Sequence, residues 1–419
     1  MADSVMLVDV PGTIAVARVE ELISRLQSAY VEGRGADLRI PTRFRMDALG
    51  AKAAAMQLIG SWARLFRKAG ALRTYLRDGL SESELVDLLD QEEHLLFAAC
   101  VAPRVFSQGM SHDITDDVRR AARKVLSSRQ RGAHKRSMRS VLELVSDESP
   151  ELAPYGLYRH GDARYPLDLN ADYIPLADRI IGLSQTRRSS IEDPKDVSSL
   201  SWTLLELFQN TDQWARSLPC NDEADLTSSP SARFIFARWH SLPGEVAARL
   251  EGQAPEFGAF LTRSSTSADS RARFFEISIS DMGPGIAGWR AADLRRRVTD
   301  LSDSEELSLV RWSLAKRRTT SLDPTKGMGF HRAFLNLTRL GGIVQIRTGG
   351  VSVYRDFQRD PYPSNREAAD SALPEGQRQN WTDLRGWDGD TAVRRTAVSR
   401  VVGSRITMLI PDASSEHVL

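Results

Sequence analysis

The stretch from Arg271 to Gly285 constrains this chain more than any other. Phe275, Ile277 and Ile279 alternate with Glu276, Ser278 and Ser280, a period of two that a β-strand sorts into one apolar and one polar face. The strand runs into Asp281-Met-Gly-Pro-Gly285, and parity puts Asp281 on the side of the three apolar residues. A carboxylate aimed at an apolar face needs a donor, because an unpartnered buried charge is expensive. An exocyclic amine such as that of adenine is a donor of the right kind. Gly283 and Gly285 let the backbone turn sharply and approach a ligand closely. Standing alone, an Asp-x-Gly-x-Gly pattern is more often a simple turn.

Two further stretches carry chemistry. Trp202–Ala215 reads as a helix on which Glu206 and Asn210 lie one turn apart, beside Leu204, Leu205, Leu207 and Phe208. A carboxylate and a carboxamide on one face make a poor core but a good holder for a hydrated divalent cation and a water molecule. Further on, Lys326-Gly327-Met-Gly329 precedes an amphipathic helix through Phe334, Leu337 and Leu340. Glycines at a helix start free backbone N–H groups to face an anion together with the positive end of the helix dipole, and Lys326 adds a full charge. Read alone, this is equally a glycine-rich turn with a solvated lysine.

Taken in order, the three motifs resemble the GHKL ATPase superfamily of gyrase, the heat-shock chaperone, histidine kinases and MutL. Glu206-x-x-x-Asn210 is similar to its N box, Asp281-x-Gly283-x-Gly285 to its first glycine box, and Gly327-x-Gly329 to its second. The strand Ile343–Arg347 and the last strand, Gly403–Pro411, take the places of the family's sheet strands. The resemblance implies a Bergerat-fold α/β sandwich, a mixed sheet covered by helices, over residues 151–419. It implies a lid over 286–325 and an insertion over 355–400. It further implies ATP and Mg2+ as ligands: Asn210 on the metal, Asp281 and Ser404 on the adenine, the glycines and Lys326 around the phosphates, and Glu206 polarising the attacking water. Gln209 stands where the gyrase and chaperone branch often has aspartate. That places the helix nearer the kinase, anti-sigma and stand-alone bacterial branch, whose members do not all hydrolyse ATP.

The first 150 residues read as a smaller α/β and helical regulatory or interaction module. Val5–Val10 is a predicted strand, Thr13–Tyr30 a helix, Leu38–Phe44 a strand and Ala48–Lys68 an amphipathic helix, an order weakly similar to STAS-like interaction domains. Ser81-Glu-Ser-Glu84 has the form of a capping box. The arginine- and lysine-rich run 117–140 would suit nucleic-acid phosphates, but it holds no aromatic residue, and a solvated helix face explains it better. The acidic segment Ser146–Pro154 marks the expected boundary, and residues 254–270 read as loop. Two cysteines, Cys100 and Cys220, lack metal-type spacing, and net charge is only +1. No stretch approaches a membrane span or a secretion signal, so a cytoplasmic protein is expected. The expected activity is slow Mg-dependent ATP hydrolysis coupling lid closure to contact with a protein partner or a second copy. A protein kinase is the alternative, either a histidine kinase using His112 or an anti-sigma-type serine kinase. A non-hydrolysing ATP switch is the other.

Overall fold

In the computed structural model the alternation at 271–281 becomes the centre of a large antiparallel sheet whose two faces are both covered. The structure describes residues 5–46, 48–108, 112–130, 141–146, 157–159, 162–166, 170–184, 191, 193–214, 232–246, 255–264, 271–315, 327–362, 385–386 and 399–412. The chain is mixed α/β. Its N-terminal part runs β1 (Met6–Asp9), β2 (Thr13–Ile14), α1 (Val16–Val31), β3 (Ala36–Arg39), β4 (Arg45–Met46), α2 (Ala51–Leu65), β5 (Leu72–Arg73), α3 (Glu82–Gln91), α4 (Glu93–Val101), β6 (Val105–Phe106) and α5 (Thr115–Gln130). Strands β1, β3, β5 and β6 form a parallel sheet in that order, each step crossing over through helix.

The remainder runs β7 (Val141–Ser146), β8 (Tyr158–Arg159), β9 (Asp162–Pro166), α6 (Asn170–Ile181), α7 (Pro194–Trp214), β10 (Arg233–Pro243), α8 (Pro255–Ser264), β11 (Arg271–Asp281), α9 (Ile286–Asp293), α10 (Asp303–Leu314), α11 (Gly329–Arg339), β12 (Ile343–Thr348), β13 (Val351–Asp356), β14 (Arg385–Gly386) and β15 (Ser404–Pro411). Its sheet has the order β14-β13-β12-β15-β11-β10-β7. Every pairing described in it is antiparallel, where a mixed sheet is expected from the sequence. The physical reason is connectivity: β12 and β13 join through Gly349-Gly350 as a hairpin, and each other neighbouring pair enters from the opposite end.

Parity on β11 holds. Phe275, Ile277 and Ile279 share a core with Leu204, Leu205, Leu207 and Phe208 of α7 and with Phe334 and Leu337 of α11. The opposite, polar face is buried too, against the N-terminal part: Glu276, Ser278 and Ser280 are all within 4% of full burial. Glu276 accepts hydrogen bonds from the Gly50 backbone N–H (2.7 Å) and pairs with His240 (2.8 Å), and Ser278 bonds Thr407 (2.9 Å). Helix α2 lies between the two sheets and is buried from Ala51 to Arg64. The sequence predicts it as amphipathic, but both of its sides meet apolar layers, and its alanines and Gly60 permit the close approach.

Two local expectations change, and a third holds in part. Val141–Ser146 precedes the expected boundary near residue 150, yet it pairs with β10 as part of the large sheet. Residues 255–264, expected as loop, form α8, because Phe257, Phe260 and Leu261 bury one face under Phe274 and Leu409. On the basic helix α5, Arg120, Arg123 and Lys124 are solvent-exposed, as expected of a solvated face, whereas Arg129 is buried. Arg129 pairs with Asp90 and Glu93, Lys124 with Glu82 and Arg120 with Asp117, while Arg119 caps the carbonyls of Ala102 and Pro103. The capping box at Ser81 forms as expected.

Candidate functional site

Glycines at the start of α11 and after the end of β11 gather the chemistry-bearing residues into two adjoining corners. On α7, Trp202, Glu206 and Asn210 follow one another along one line of the helix, at successive intervals of four. Leucine neighbours anchor this helix at or below 1% exposure, so Glu206 is held at 8% exposure on a rigid element. Helix α11 starts against it. A Cβ added to Gly329 would lie 3.0 Å from Asn210 Nδ2 and 3.1 Å from Glu206 Oε2. A side chain there would press on both polar groups, and glycine lets the helix start approach them closely. Among the described residues no side chain caps this N-terminus, and Asn210 Nδ2 is buried without a hydrogen-bond partner. A helix start with no capping side chain among the described residues, beside a carboxamide nitrogen that lacks an acceptor, suits an anionic ligand.

The second corner is built on Asp281. Its Oδ1 accepts from the Gly283 backbone N–H at 2.7 Å. Burial pushes its carboxyl up to about 6, although the backbone N–H groups of Gly283 and Ser404 and the charges of Arg233 and Arg64 pull the other way. Gly285 has φ 81° and Gly403 φ 69°, a region that side chains other than glycine's rarely adopt. Both are also sterically required: a Cβ on Gly285 would meet Thr348 Oγ1 at 2.8 Å, and one on Gly403 would overlap the Asp281 carbonyl. Thr348 ties the corner together. Its Oγ1 accepts from the Ile286 N–H (2.9 Å), donates to the Gly403 carbonyl (3.2 Å) and lies 3.3 Å from Ser404 Oγ.

Arg233 joins the corners. It is 1% exposed, faces Asp281 across the β10–β11 register, and pairs with Asp212 two residues beyond Asn210 (3.4 Å). The structure thus brings Glu206, Asn210 and Gly329 together, and Asp281, Gly283, Gly285 and Ser404 together. Gly327, with φ 89°, lies just before α11. Lys326 lies outside the described residues. Most of 355–400 also lies outside them.

Three contributors carry no motif signal: Thr348, Arg233 and Arg332. Arg332 Nη1 donates to Glu206 Oε1 at 2.8 Å, and its guanidinium lies 5.4 Å from the Trp202 ring centroid. A charged residue opening the otherwise apolar run 234–237 is a signal for Arg233; the other two depend on contacts between distant segments.

The segment after Gly285 is anchored over the β12–β13 hairpin. Glu306 of α10 is 1% exposed and accepts from the Gly350 N–H (3.2 Å) and from both terminal nitrogens of Arg400 (3.1 Å each). Elsewhere, His112 is an exposed loop residue 3.6 Å from Asp78. No described helix is long and apolar enough to cross a membrane. Among the described residues no cluster of three or more histidine, cysteine or acidic side chains could hold a metal ion. Comparison with protein-family models, curated proteins and solved structures gives no significant match.

Proposed function

We propose that the chain binds magnesium–ATP between α7, α11 and the end of β11 and hydrolyses it slowly, in the manner of the GHKL superfamily and its Bergerat fold. One observation carries the reading: Gly329, at the uncapped start of α11, abuts both Glu206 and Asn210. Two motifs more than a hundred residues apart in sequence thereby come together, with Asp281 linked to them through Arg233.

The residues fit such a ligand. Asp281 and Ser404, braced by Thr348, would take the adenine, and the N–H groups at Gly327 and Gly329, with Lys326, would face the phosphates. Asn210 would be the protein ligand of magnesium, which characteristically takes its remaining ligands from phosphate and water and supplies charge neutralisation. Glu206 would orient the water. In hydrolysis a water oxygen bonds to the γ-phosphorus, and the bond from phosphorus to the bridging oxygen breaks with its electron pair left on ADP. The water proton passes to the Glu206 carboxylate and on to solvent.

The proposal extends to a cytoplasmic location and to a protein partner or a second copy that reads the position of the 286–325 segment. The N-terminal part is the regulatory module in this reading. A non-hydrolysing switch is the second reading, favoured by the Arg332–Glu206 ion pair, which engages the intended base. Steady-state phosphate release and nucleotide-induced thermal shift separate the possibilities. The expected results are a thermal shift with ATP that disappears in Asp281→Ala, and phosphate release that falls at least about a hundredfold in Glu206→Ala, the scale of a lost acid–base group. Equal stabilisation of wild type and Asp281→Ala by ATP would remove the adenine assignment, and undiminished release in Glu206→Ala would remove the base.

A further inference from the structure

Glu206 has a partner that the nucleotide reading does not call for. Arg332 donates to Glu206 Oε1 at 2.8 Å, while Glu206 Oε2 faces Gly329. The two side chains are unequally held: Arg332 is 49% exposed and Glu206 10%. An ion pair open to solvent on one side adds little to stability, so fold stability is a weak reason for it. Its position suggests another reason. Arg332 is the third residue after Gly329, in the first turn of α11, the turn whose N–H groups face the proposed phosphate site. The guanidinium also rests over Trp202, one turn before Glu206 on α7.

We infer that Arg332 is a positioning residue that divides its charge between the Glu206 carboxylate and the terminal phosphate of a bound nucleoside triphosphate. The inference rests on the nucleotide reading above. While paired, the guanidinium holds Glu206 Oε1, one of the two carboxylate oxygens that could take a proton from water. A γ-phosphate is the stronger competitor for a planar, bidentate cation, because it offers more charge and several acceptor oxygens. The long arginine side chain reaches either group by rotation alone, since both lie beside the same helical turn. Glu206, buried on α7, stays where it is and becomes free to act. A diphosphate lacks the competing group, so with ADP the pair persists. Residue 332 therefore distinguishes triphosphate from diphosphate, and it ties release of the base to the presence of the substrate's reacting end.

The test uses the full chain with Mg2+, ADP and a non-hydrolysable ATP analogue, and needs no turnover. Calorimetric titration of wild type is expected to show a preference for the analogue. Arg332→Gln should weaken the analogue about tenfold and change ADP by no more than about twofold, as befits loss of one charge-assisted contact. Arg332→Lys, which keeps the charge without the fork, should recover part of the preference. Tryptophan emission gives a second readout: the analogue should change it in wild type by drawing the guanidinium off Trp202, and this change should vanish in Trp202→Phe and in Arg332→Gln. Unaltered melting temperatures will show that the variants fold. If wild type binds both nucleotides but Arg332→Gln changes neither the preference nor the emission response, Arg332 is a strut between α7 and α11 and this inference is overturned alone. If wild type binds neither nucleotide, the site reading falls and takes the inference with it.

Discussion

At Asp281 the demands of folding and of ligand binding oppose each other. The carboxyl sits at about 6 in the fold against 3.8 in an exposed chain, with burial the leading cause. Because the folded value is the higher one, the folded chain holds this proton more tightly than the unfolded chain does. That contribution is complete below pH 3.8 and is lost as pH rises through about 6, so at neutral pH the ionised group costs about 3 kcal/mol relative to a neutral one. Asp281→Asn keeps an oxygen for the Gly283 N–H and removes the charge. It is expected to raise the melting temperature at pH 7.5, with a gain that shrinks as pH falls through 6 and disappears near 4. The same variant should lose nucleotide-induced stabilisation, since asparagine offers an adenine amine a weaker acceptor. Melting curves across that range with and without ATP check both halves; an asparagine variant less stable than wild type at pH 7.5 would show that the charge is compensated. At this scale the sequence was informative where a residue type was improbable for its surroundings. A carboxylate at the end of an apolar strand face and a polar pair on a leucine-rich helix announced themselves. Arg332 and Thr348 did not, because arginine on a helix and threonine at a strand end are ordinary locally and gain meaning only from a partner far along the chain.

Among the elements, α10 is the one whose attachment is most concentrated. Glu306 binds the Gly350 N–H and both terminal nitrogens of Arg400, and Gly349, at φ 49°, has a backbone that strains any other residue, whose Cβ would also displace the Glu306 carboxylate. Arg400 in turn exchanges backbone hydrogen bonds with the Gln27 side chain of α1, so the segment is tied through one arginine to the N-terminal part. Glu306→Ala leaves Arg400 and an N–H without their acceptor. The expected result is amide exchange over 303–314 faster by on the order of tenfold or more, with exchange in β11 unchanged. Equal acceleration in both would mean that the carboxylate supports the whole fold rather than one helix. Legibility among elements followed periodicity. The hairpin at Gly349-Gly350, the capping box at Ser81 and strand β11 were plain. Helix α8 reads as loop: Phe257, Phe260 and Leu261 have a helical spacing, but the serine- and alanine-rich flanks obscure it. Helix α2 reads as a helix with a solvent face because Lys52, Gln57, Ser61 and Arg64 are polar, yet all four are buried and their partners Glu143, the Arg347 carbonyl, the Val402 N–H and the Met282 carbonyl lie far along the chain.

For the whole molecule, the decisive fact is that the two sheets share one core. Phe234, Phe236, Met282, Val145 and Val401 from the large sheet and its loops pack with Leu58, Ile59, Trp62 and Phe97 from the N-terminal part. Polar contacts follow the same seam: Arg347 with Glu20, Lys52 with Glu143, Gln57 with the Arg347 carbonyl, and the Val402 N–H with Ser61. Arg64 donates to the Met282 carbonyl, next to Asp281 itself. A linear reading divides the chain near residue 150 into a module and a catalytic domain, and nothing in local pattern contradicts it. The burial of Glu276, Ser278 and Ser280 does, since that polar face reads as solvent-facing until its partners are known. The consequence is that residues 141–419 should not stand alone. Without the first 140 residues, Phe234, Phe236 and Met282 would be exposed, and Arg347 would lose Glu20. The full chain is expected to unfold in one cooperative transition that ATP shifts as a whole. The 141–419 fragment should be aggregated or lack a sharp transition, and Arg64→Ala in the full chain should weaken ATP binding by about threefold to tenfold, the loss of one charge-assisted hydrogen bond beside the site. A fragment that melts sharply and binds ATP as the full chain does would show the seam to be a docking contact between independent domains. Its failure, together with an effect of Arg64 on affinity, would make the N-terminal part a structural half of the nucleotide site.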